Sequence, residues 1–479
     1  MIPHADPQAA RDTSATFLRL IFDCPSVTEK TLARPVANSS APPHLRDLAA
    51  FTLERAKALG ATAADVEIST SVGQNVTVRM GEVETIEHNR DKGMGITVYL
   101  GQQRGNASTT DLSRDAIERT VKAALAIARY TAADEFAGLA DPARHARPPF
   151  ADCDIHHPWV LPVEEAIALC QRIEAAAFAV DKRINNSEGA SVSTSDADFI
   201  YANSNGFIGG YPTTRHSTSC TMIAATEQGM QRDYWYTVAR AASRLEPAEI
   251  VGRKAGERTA ARLDARRIPS GDFPVLFEAP VASGLIGSFV GAVSGSALYR
   301  KASFLMDSIG QQVFSPLVTI HENPFVPHGL ASGPFDAEGV ATAVRDVVKD
   351  GVVQGYFLGS YSARKLGMQT TGNAGGNHNL IVPPGELDLA GLLKKMQRGL
   401  LVTELMGQGV NNVTGDYSRG AAGFWIEGGE IAFPVEEITI AGNMKDMFKG
   451  IAAIGNDVLA LGSKQTGSIL IDRMSIAGE

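Results

Sequence analysis

The order of predicted elements in the first half of the chain constrains the fold most, because the same order occurs twice. An Ala- and Leu-rich helical segment at 42–61 is followed by five short runs of alternating or β-branched residues and by an amphipathic helix that Ser113 caps. A Pro-rich linker at 142–162 then leads to a helix, strand-like runs over 183–240, and a further helix over 246–267. We therefore predict two helix/β-meander/helix units, and the repeated order suggests an internal duplication.

Beyond these units, residues 272–479 consist mainly of short strand-like runs separated by glycines, which predicts one larger β-rich domain. Of the 479 residues 47 are glycine, above the usual ~7%, as expected for many turns and close backbone contacts. The predicted fold class is α+β, with a disordered extension at 1–44, a first unit at 45–141 and a second unit at 158–268.

Charge and cysteine content exclude several classes of protein. The net charge of −9 makes the chain a poor electrostatic partner for DNA, so nucleic-acid binding is disfavoured. The four cysteines form no CxxC pair, which indicates reduced thiols in a cytoplasmic protein. No apolar run reaches the ~18 residues that a membrane helix needs, so we expect no membrane partner.

The one His-Glu pair of the sequence does not form the zinc-peptidase motif HExxH. His321 and Glu322 are followed by His328, but Pro324 and Pro327 lie between the histidines and forbid the helix that would bring them together. A metal site on a loop stays an alternative there, while ordinary surface histidines are the favoured interpretation.

A second group of potential ligands lies in the Pro-rich linker. Cys153, His156 and His157 are close enough in sequence to share a metal, but they stand beside Pro158 outside any regular element. Ordinary linker residues are again the favoured interpretation.

Basic residues recur every four positions along the helix predicted at 246–267. Lys254, Arg258, Arg262 and Arg266 would form a stripe on one helix face. A contact with nucleic acid is one interpretation of this stripe. A solvated face is favoured, because acidic residues interrupt the stripe and the whole chain is acidic.

Near the C-terminus the glycine-rich stretch MGQGVNNVTGDYSRGAAGFWIEGGE does not match a nucleotide-binding loop. It lacks the Walker A pattern and the dinucleotide spacing, and it lies among strand-like runs. Instead it resembles, together with GVVQGYFLGSYSARKLGMQTTGNAGGNHN, YRKASFLMDSIGQQV and GITVYLGQQRGNASTTDLS, the PmbA (TldE) type of the TldD/PmbA metallopeptidase family, whose older label is modulator of DNA gyrase. The resemblance covers residues 46–479.

This resemblance implies an α+β subunit of a two-subunit cytoplasmic peptidase that degrades or matures peptides and unfolded proteins. In the family the TldD type carries HExxxH on a helix and binds zinc, and the PmbA type is its paralogue and partner. We therefore expect no cofactor in this chain, zinc in a TldD-like partner, and a heterodimer, with a homodimer of the isolated chain as a further option. A metallopeptidase active on its own and a gyrase- or nucleic-acid-associated binding module are the alternatives.

The resemblance also places the zinc helix of the TldD type at EAPVASGLIGSF. In that register Glu278 and Ser283 stand where the two ligand histidines would be, and Ala279 replaces the glutamate. Residues 273–300 contain no histidine at all. No catalytic or metal-binding residue is therefore predicted in this chain.

The polar residues of the glycine-rich stretch are the predicted site residues. Asp416, Tyr417, Ser418 and Arg419 are predicted to line the substrate cavity or the subunit junction. The alternative is that Asp416 and Arg419 only tie turns together.

Overall fold

The computed structural model describes residues 42–478 and confirms the α+β prediction. Most of the predicted extension at 1–44 lies outside the described residues, and the first helix already begins at Pro43. No helix among residues 42–478 has the length and apolar character needed to cross a membrane.

The first unit has a helix at each end and three strands between them. Ser113 caps its second helix by accepting a hydrogen bond from the backbone N–H of Ala116. Its elements are α1 Pro43–Ala58, β1 Ala63–Arg79, β2 Glu82–Leu100, β3 Gln103–Thr109 and α2 Arg114–Tyr130. The five predicted runs merge into three strands, because β1 and β2 continue through polar stretches that resemble turns in the sequence.

The second unit repeats this order of elements after the Pro-rich linker. Its elements are α3 Val163–Phe178, β4 Ile184–Asn203, β5 Ile208–Thr226, β6 Gly229–Ala239 and α4 Ala248–Ala261. All six strands of the two units form one antiparallel sheet in the order β3-β2-β1-β4-β5-β6. The sheet is symmetric about the β1–β4 pair, an arrangement that agrees with duplication of a three-strand unit.

Side chains along β1 point alternately to the two faces of this sheet. Val66 and Ile68 are buried with α1 and α2, and Val76 and Val78 are buried with α3 and α4. All four helices therefore cover the same face of the sheet. Side chains at intervening positions, beginning with Asp65, point to the opposite face.

The C-terminal domain contains eleven strands and five helices within the described residues. Its strands are β7 Gly271–Phe277, β8 Ile320–Asn323, β9 Arg345–Lys349, β10 Val352–Val353, β11 Asn379–Ile381, β12 Gly399–Met406, β13 Asp416–Glu427, β14 Glu430–Asn443, β15 Ile451–Ile454, β16 Lys464–Gln465 and β17 Ile469–Ala477. They form a six-stranded sheet in the order β14-β13-β12-β7-β17-β15 and a smaller sheet in the order β10-β9-β8-β11-β16. The helices of the domain are α5 Ala279–Ala292, α6 Gly295–Tyr299, α7 Ser360–Lys365, α8 Leu389–Met396 and α9 Met444–Lys449.

An additional pairing of β14 with β17 closes the larger sheet into a barrel. The largest buried cluster of the protein fills the space between this barrel and α5, with Phe277, Leu285 and Phe289 among its members. The segment at which the resemblance places the zinc helix is helical and forms α5, and its apolar residues are part of the main core.

Candidate functional site

A cavity of about 1160 Å³ opens on the face of the six-stranded N-terminal sheet that carries no helices. Asp65 of β1, Arg104 of β3 and Tyr201 of β4 line its floor, and Glu338 and Lys365 contribute from the C-terminal domain. Carboxylates outnumber cations in the lining, where Arg104 and Lys365 are the basic residues, so the cavity can bind a polar chain and has an acidic character.

Among the carboxyl groups that line this cavity, Asp65 has the most strongly perturbed acidity. Burial raises the pKa of its carboxyl to about 7, and nearby Glu338 raises it further, while Arg104 and the hydroxyl of Thr97 oppose the shift. Burial also raises the pKa of Tyr99, on the neighbouring strand, to about 12. Asp65 can therefore gain or lose a proton near neutral pH, a property found often at functional sites.

The segment 131–140 forms one wall of the cavity and is held by residues of α7. Asp134 accepts a hydrogen bond of 2.6 Å from the hydroxyl of Tyr361 and forms an ion pair of 3.4 Å with Lys365. The guanidinium of Arg364 donates to three backbone carbonyls of this segment, those of Phe136, Gly138 and Leu139, at 2.7, 2.8 and 3.1 Å. These contacts fix the wall relative to the C-terminal domain.

Sequence reasoning did not single out the acidic floor of the cavity, although a signal was present. In DVEI the carboxylates of Asp65 and Glu67 alternate with the buried side chains of Val66 and Ile68. In a strand this pattern places both carboxylates on the face opposite the helices.

The predicted site residues Asp416 to Arg419 lie at the start of β13 and do not line this cavity. Asp416 accepts hydrogen bonds of 2.6 Å from Thr414 and 3.0 Å from Asn443, and these bonds hold the pKa of its carboxyl below the usual range. Asp416 therefore ties a turn to the end of β14.

The other three predicted residues alternate across the strand. Tyr417 is buried with its ring against Phe277, and burial raises the pKa of its hydroxyl to about 12, whereas Ser418 is exposed and Arg419 is half-buried. The assignment of Asp416, Tyr417, Ser418 and Arg419 to the substrate cavity or the subunit junction stays a prediction.

Two glycines of the same stretch are explained by close backbone contacts. A Cβ at Gly409 would lie 1.5 Å from the carbonyl oxygen of Ser418, and a Cβ at Gly423 would lie 1.9 Å from that of Leu401. No side chain fits at such distances, so these glycines serve packing within the barrel.

The segment aligned with the zinc helix is α5, and its residues do not fit a zinc ion. The two carboxylate oxygens of Glu278 accept hydrogen bonds of 2.8 and 3.0 Å from Arg258. The hydroxyl of Ser283 donates to the carbonyl of Pro280 at 2.9 Å, and Ala279 carries no ligand atom. Zinc prefers imidazole and thiolate ligands, and neither is present in this segment.

The helix predicted at 246–267 ends at Ala261, so Arg262 and Arg266 follow α4 rather than continuing a stripe on it. The four basic residues do not form a solvated face, and the favoured interpretation was wrong. Arg258 pairs with Glu278 and with Asp233, while Arg262 pairs with Glu404 of β12 and lies 3.7 Å from Asp233. The side chains of Arg258 and Arg262 are only 19% and 10% exposed. Both arginines therefore join α4 to the C-terminal domain.

The residues at the two ends of the stripe, Lys254 and Arg266, also contact other side chains. The ammonium of Lys254 lies 3.0 Å from the carboxylate of Glu246, and the guanidinium of Arg266 lies 5.0 Å from the centre of the Phe433 ring. These contacts leave no continuous basic surface on α4 for a nucleic-acid backbone.

One histidine from each of the two histidine-containing segments, the linker and the loop after β8, lies in a shared cluster. His157 of the linker and His328 stack with ring centres 4.6 Å apart, and both approach the carboxylate of Asp154 with their Nε2 atoms, at 3.1 and 2.9 Å. These three ligand atoms lie within 4.8 Å of one another. Burial, and then the charge of Arg244, hold the pKa of His328 below its ordinary value.

The remaining members of those groups have other partners. His321 pairs with Asp346, and His156 lies 2.9 Å from Asp196. The thiol of Cys153 is buried 3.6 Å from the carbonyl oxygen of Pro324, and burial raises its pKa to about 12. The grouping of Cys153 with both linker histidines is therefore not formed.

Three family sequence models cover most of the chain. Residues 64–128 match the PmbA/TldA metallopeptidase domain 1, residues 156–263 match the central domain, and residues 270–478 match the C-terminal domain. The chain belongs to the PmbA/TldD metallopeptidase family. This confirms the resemblance, and the three matched segments follow the two halves of the N-terminal sheet and the barrel domain.

Curated relatives are similar over nearly the whole length. The chain is 50% identical to metalloprotease PmbA of Escherichia coli O157:H7 over 416 residues, which cover 87% of this chain and 92% of that protein. It is 44% identical to a PmbA homologue of Haemophilus influenzae over 451 residues, which cover 93% of this chain and 100% of that protein.

Solved structures show the same fold. A protein of Bacteroides thetaiotaomicron described as a modulator of DNA gyrase superposes with a TM-score of 0.87 at 28% identity, covering 91% of this chain and 100% of that chain. TldE of Thermococcus kodakarensis superposes with a TM-score of 0.78 at 18% identity over 91% of this chain and 100% of that chain. At that identity the second match supports the fold alone.

Proposed function

We propose that this chain is the non-catalytic subunit of a PmbA/TldD-type peptidase, and that a TldD-like partner holds the zinc ion. The observation that carries the proposal is the N-terminus of α5, where Glu278 is occupied by Arg258 and no histidine is present. Hydrolysis of a peptide bond requires an activated water, and this segment supplies neither a metal ligand set nor a free base.

The chain's own contribution would be to bind the substrate. The 1160 Å³ cavity is lined by carboxylates such as Asp65 and Glu338 and by the cations Arg104 and Lys365, which could bind the polar backbone and charged groups of an extended peptide. Unfolded chains and peptides are the substrates that this space could admit, because a folded protein would not enter it.

A free strand edge next to the sheet centre offers a second means of holding an extended chain. β3 pairs with β2 only over Met94–Leu100, so the outer edge of residues 82–93 makes no strand pairing within residues 42–478. A peptide or a partner strand can add to such an edge through backbone hydrogen bonds.

The experiment that tests the proposal compares peptide cleavage by three samples: this chain alone, its TldD-like partner alone, and the mixture. We expect chelator-sensitive cleavage in the mixture, none with this chain alone, and loss of cleavage when the partner's zinc-binding histidines are replaced. Sedimentation of the mixture should show a complex of both chains. Cleavage by this chain alone, at a rate comparable to that of the mixture, would contradict the proposal and favour the enzyme that acts on its own.

A further inference from the structure

The cluster of Asp154, His157 and His328 has the donor set of a transition-metal site. It offers two imidazole nitrogens and one carboxylate, and each approach joins an Nε2 atom to a different oxygen of Asp154, Oδ1 for His157 and Oδ2 for His328. The backbone carbonyl of Asp154 also lies 3.1 Å from Nε2 of His157. Imidazole with carboxylate suits zinc and its neighbours in the first transition series, whereas magnesium and calcium prefer oxygen ligands alone.

Hydrogen bonds of the backbone N–H groups hold the main chain at all three ligand residues. The N–H of His328 donates to the carbonyl of Cys153 at 3.1 Å, and the N–H of His157 donates to the hydroxyl of Thr214 at 2.8 Å. The N–H of Asp154 donates to its neighbour Asp152 at 2.8 Å. Ligands that are fixed in this way lose little freedom when they bind an ion.

Solvent can reach the cluster of Asp154, His157 and His328 from one side. The side chain of Asp154 is 53% exposed, that of His157 is 30% exposed, and that of His328 is mostly buried. One side of the cluster is therefore open, so an ion can enter and complete its coordination with water.

We infer that Asp154, His157 and His328 bind one divalent ion of the zinc class. Asp154 and His157 belong to the Pro-rich linker, and His328 belongs to the C-terminal domain, so the ion links these two parts of the chain. This site is separate from α5, where the family resemblance places the catalytic zinc, and the inference does not depend on the proposed function. Its role is to stabilise the linker.

The test is metal binding by the purified full-length chain after chelator treatment. Zn²⁺ is titrated calorimetrically, and Co²⁺ is titrated by visible absorption, which reports the ligand geometry directly. We expect one equivalent to bind, and we expect Zn²⁺ to raise the midpoint of thermal unfolding, because an ion that binds only the folded chain stabilises it.

Three single variants remove one ligand each while respecting the local backbone. Asp154 and His328 have positive φ angles of 50° and 59°, which asparagine tolerates, so Asp154→Asn and His328→Asn are preferred, together with His157→Ala. Each should weaken binding by more than the ~10–100-fold that loss of an outer hydrogen-bond partner costs. His156→Ala is the matched control, because His156 is adjacent in the chain and also pairs with an aspartate, Asp196.

The outcomes separate an ion site from a hydrogen-bonded cluster. If the wild-type chain binds no Zn²⁺ at a concentration of about 10 µM, well above the dissociation constants of structural sites, the cluster is only a hydrogen-bonded contact. Equal loss of affinity in His156→Ala and His157→Ala would also overturn the inference. Circular dichroism of each variant shows that it is folded, so a loss of binding reports the ligand itself.

Discussion

Replacement of Arg258 by methionine is the sharpest test of how the N-terminal part is joined to the barrel domain. The Arg258 guanidinium donates to Glu278 at 2.8 and 3.0 Å and to Asp233 at 3.4 Å, and it lies 5.5 Å from the centre of the Trp235 ring. Methionine keeps most of the aliphatic stem and its packing but removes the charge. The substitution therefore leaves two carboxylates without this partner.

The expected loss follows from the burial of this network. Removal of one member of a buried ion pair costs about 3–5 kcal/mol, because the remaining charge stays desolvated. At roughly 2–4 °C per kcal/mol for a unit of this size, the unfolding midpoint should fall by ~6–20 °C.

The loss of stability in Arg258→Met should depend on pH, and the ionisation of the Glu278 carboxyl determines the direction of this dependence. Burial raises the pKa of Glu278, and Arg258 is the main group that opposes this shift. Without Arg258 the folded-state pKa rises further above the unfolded value, so the stability of the variant is greatest at low pH and is lost as the pH rises through the folded-state pKa. The difference from wild type should be larger at pH 8 than at pH 5.

Thermal and urea unfolding at both pH values measure these differences. Arg253→Met is the matched control on the same helix, because Arg253 is 56% exposed and lies 3.8 Å from Glu257, a contact expected to contribute ~0–1 kcal/mol. The double variant Arg258→Met/Glu278→Gln removes the unpaired carboxylate and should recover part of the loss.

Two results would refute this reasoning. A midpoint for Arg258→Met equal to that of Arg253→Met would show that the network does not stabilise the junction. A large decrease in DNA affinity with unchanged stability would restore the interpretation of the stripe as a nucleic-acid contact.

Three further substitutions probe other contacts. Asp65→Asn should make the chain more stable than wild type at pH 8 by on the order of 1–2 kcal/mol, with a smaller difference at pH 5, because the raised pKa of Asp65 makes its ionisation unfavourable in the folded state. Thermal midpoints of both proteins between pH 5 and pH 8 measure this difference, and a difference that does not change with pH would contradict the prediction. Glu174→Ala should cost ~2–3 kcal/mol in urea unfolding, because this buried carboxylate accepts from the N–H groups of Met80 and Gly81 at 2.9 and 2.7 Å; a loss under ~0.5 kcal/mol would show that water replaces it. Gly423→Ala should lower the yield of folded protein or cost at least ~3 kcal/mol, since its Cβ would lie 1.9 Å from a carbonyl oxygen, and an unchanged midpoint would show that the strand can shift.

Local patterns were sufficient to predict the individual elements. The apolar periodicity of 114–130 and the cap at Ser113 specify α2, whereas a helix at the position of α5 was expected from the family resemblance. These signals act over one or two turns of chain, where residue order and spatial proximity coincide. The strands were predicted less accurately, because β1 and β2 continue through exposed polar residues that a sequence pattern assigns to turns.

Contacts between distant segments were the part that the sequence did not reveal. Arg262 and Glu404 are 142 positions apart, and the alternation of charges along α4 gives no indication of that partner. His157 and His328 likewise belonged to two separate motifs, each incomplete by itself. A stripe of arginines is compatible with solvent, nucleic acid or a carboxylate-lined interface, and only the packing of α4 against the barrel decides among them.

The N-terminus of α5 shows why the family fold can persist without zinc ligands. The core of the barrel domain depends on apolar contacts such as Phe277 with Tyr417 and Phe289 with Phe314, none of which involves Glu278 or Ser283. The apolar core of the barrel domain therefore does not depend on which polar residues stand at the start of α5. Glu278, which stands where the resemblance would place a zinc ligand, forms an ion pair with Arg258, and this pair joins α4 to the barrel domain. Introducing a histidine there would remove that ion pair before it created a metal site.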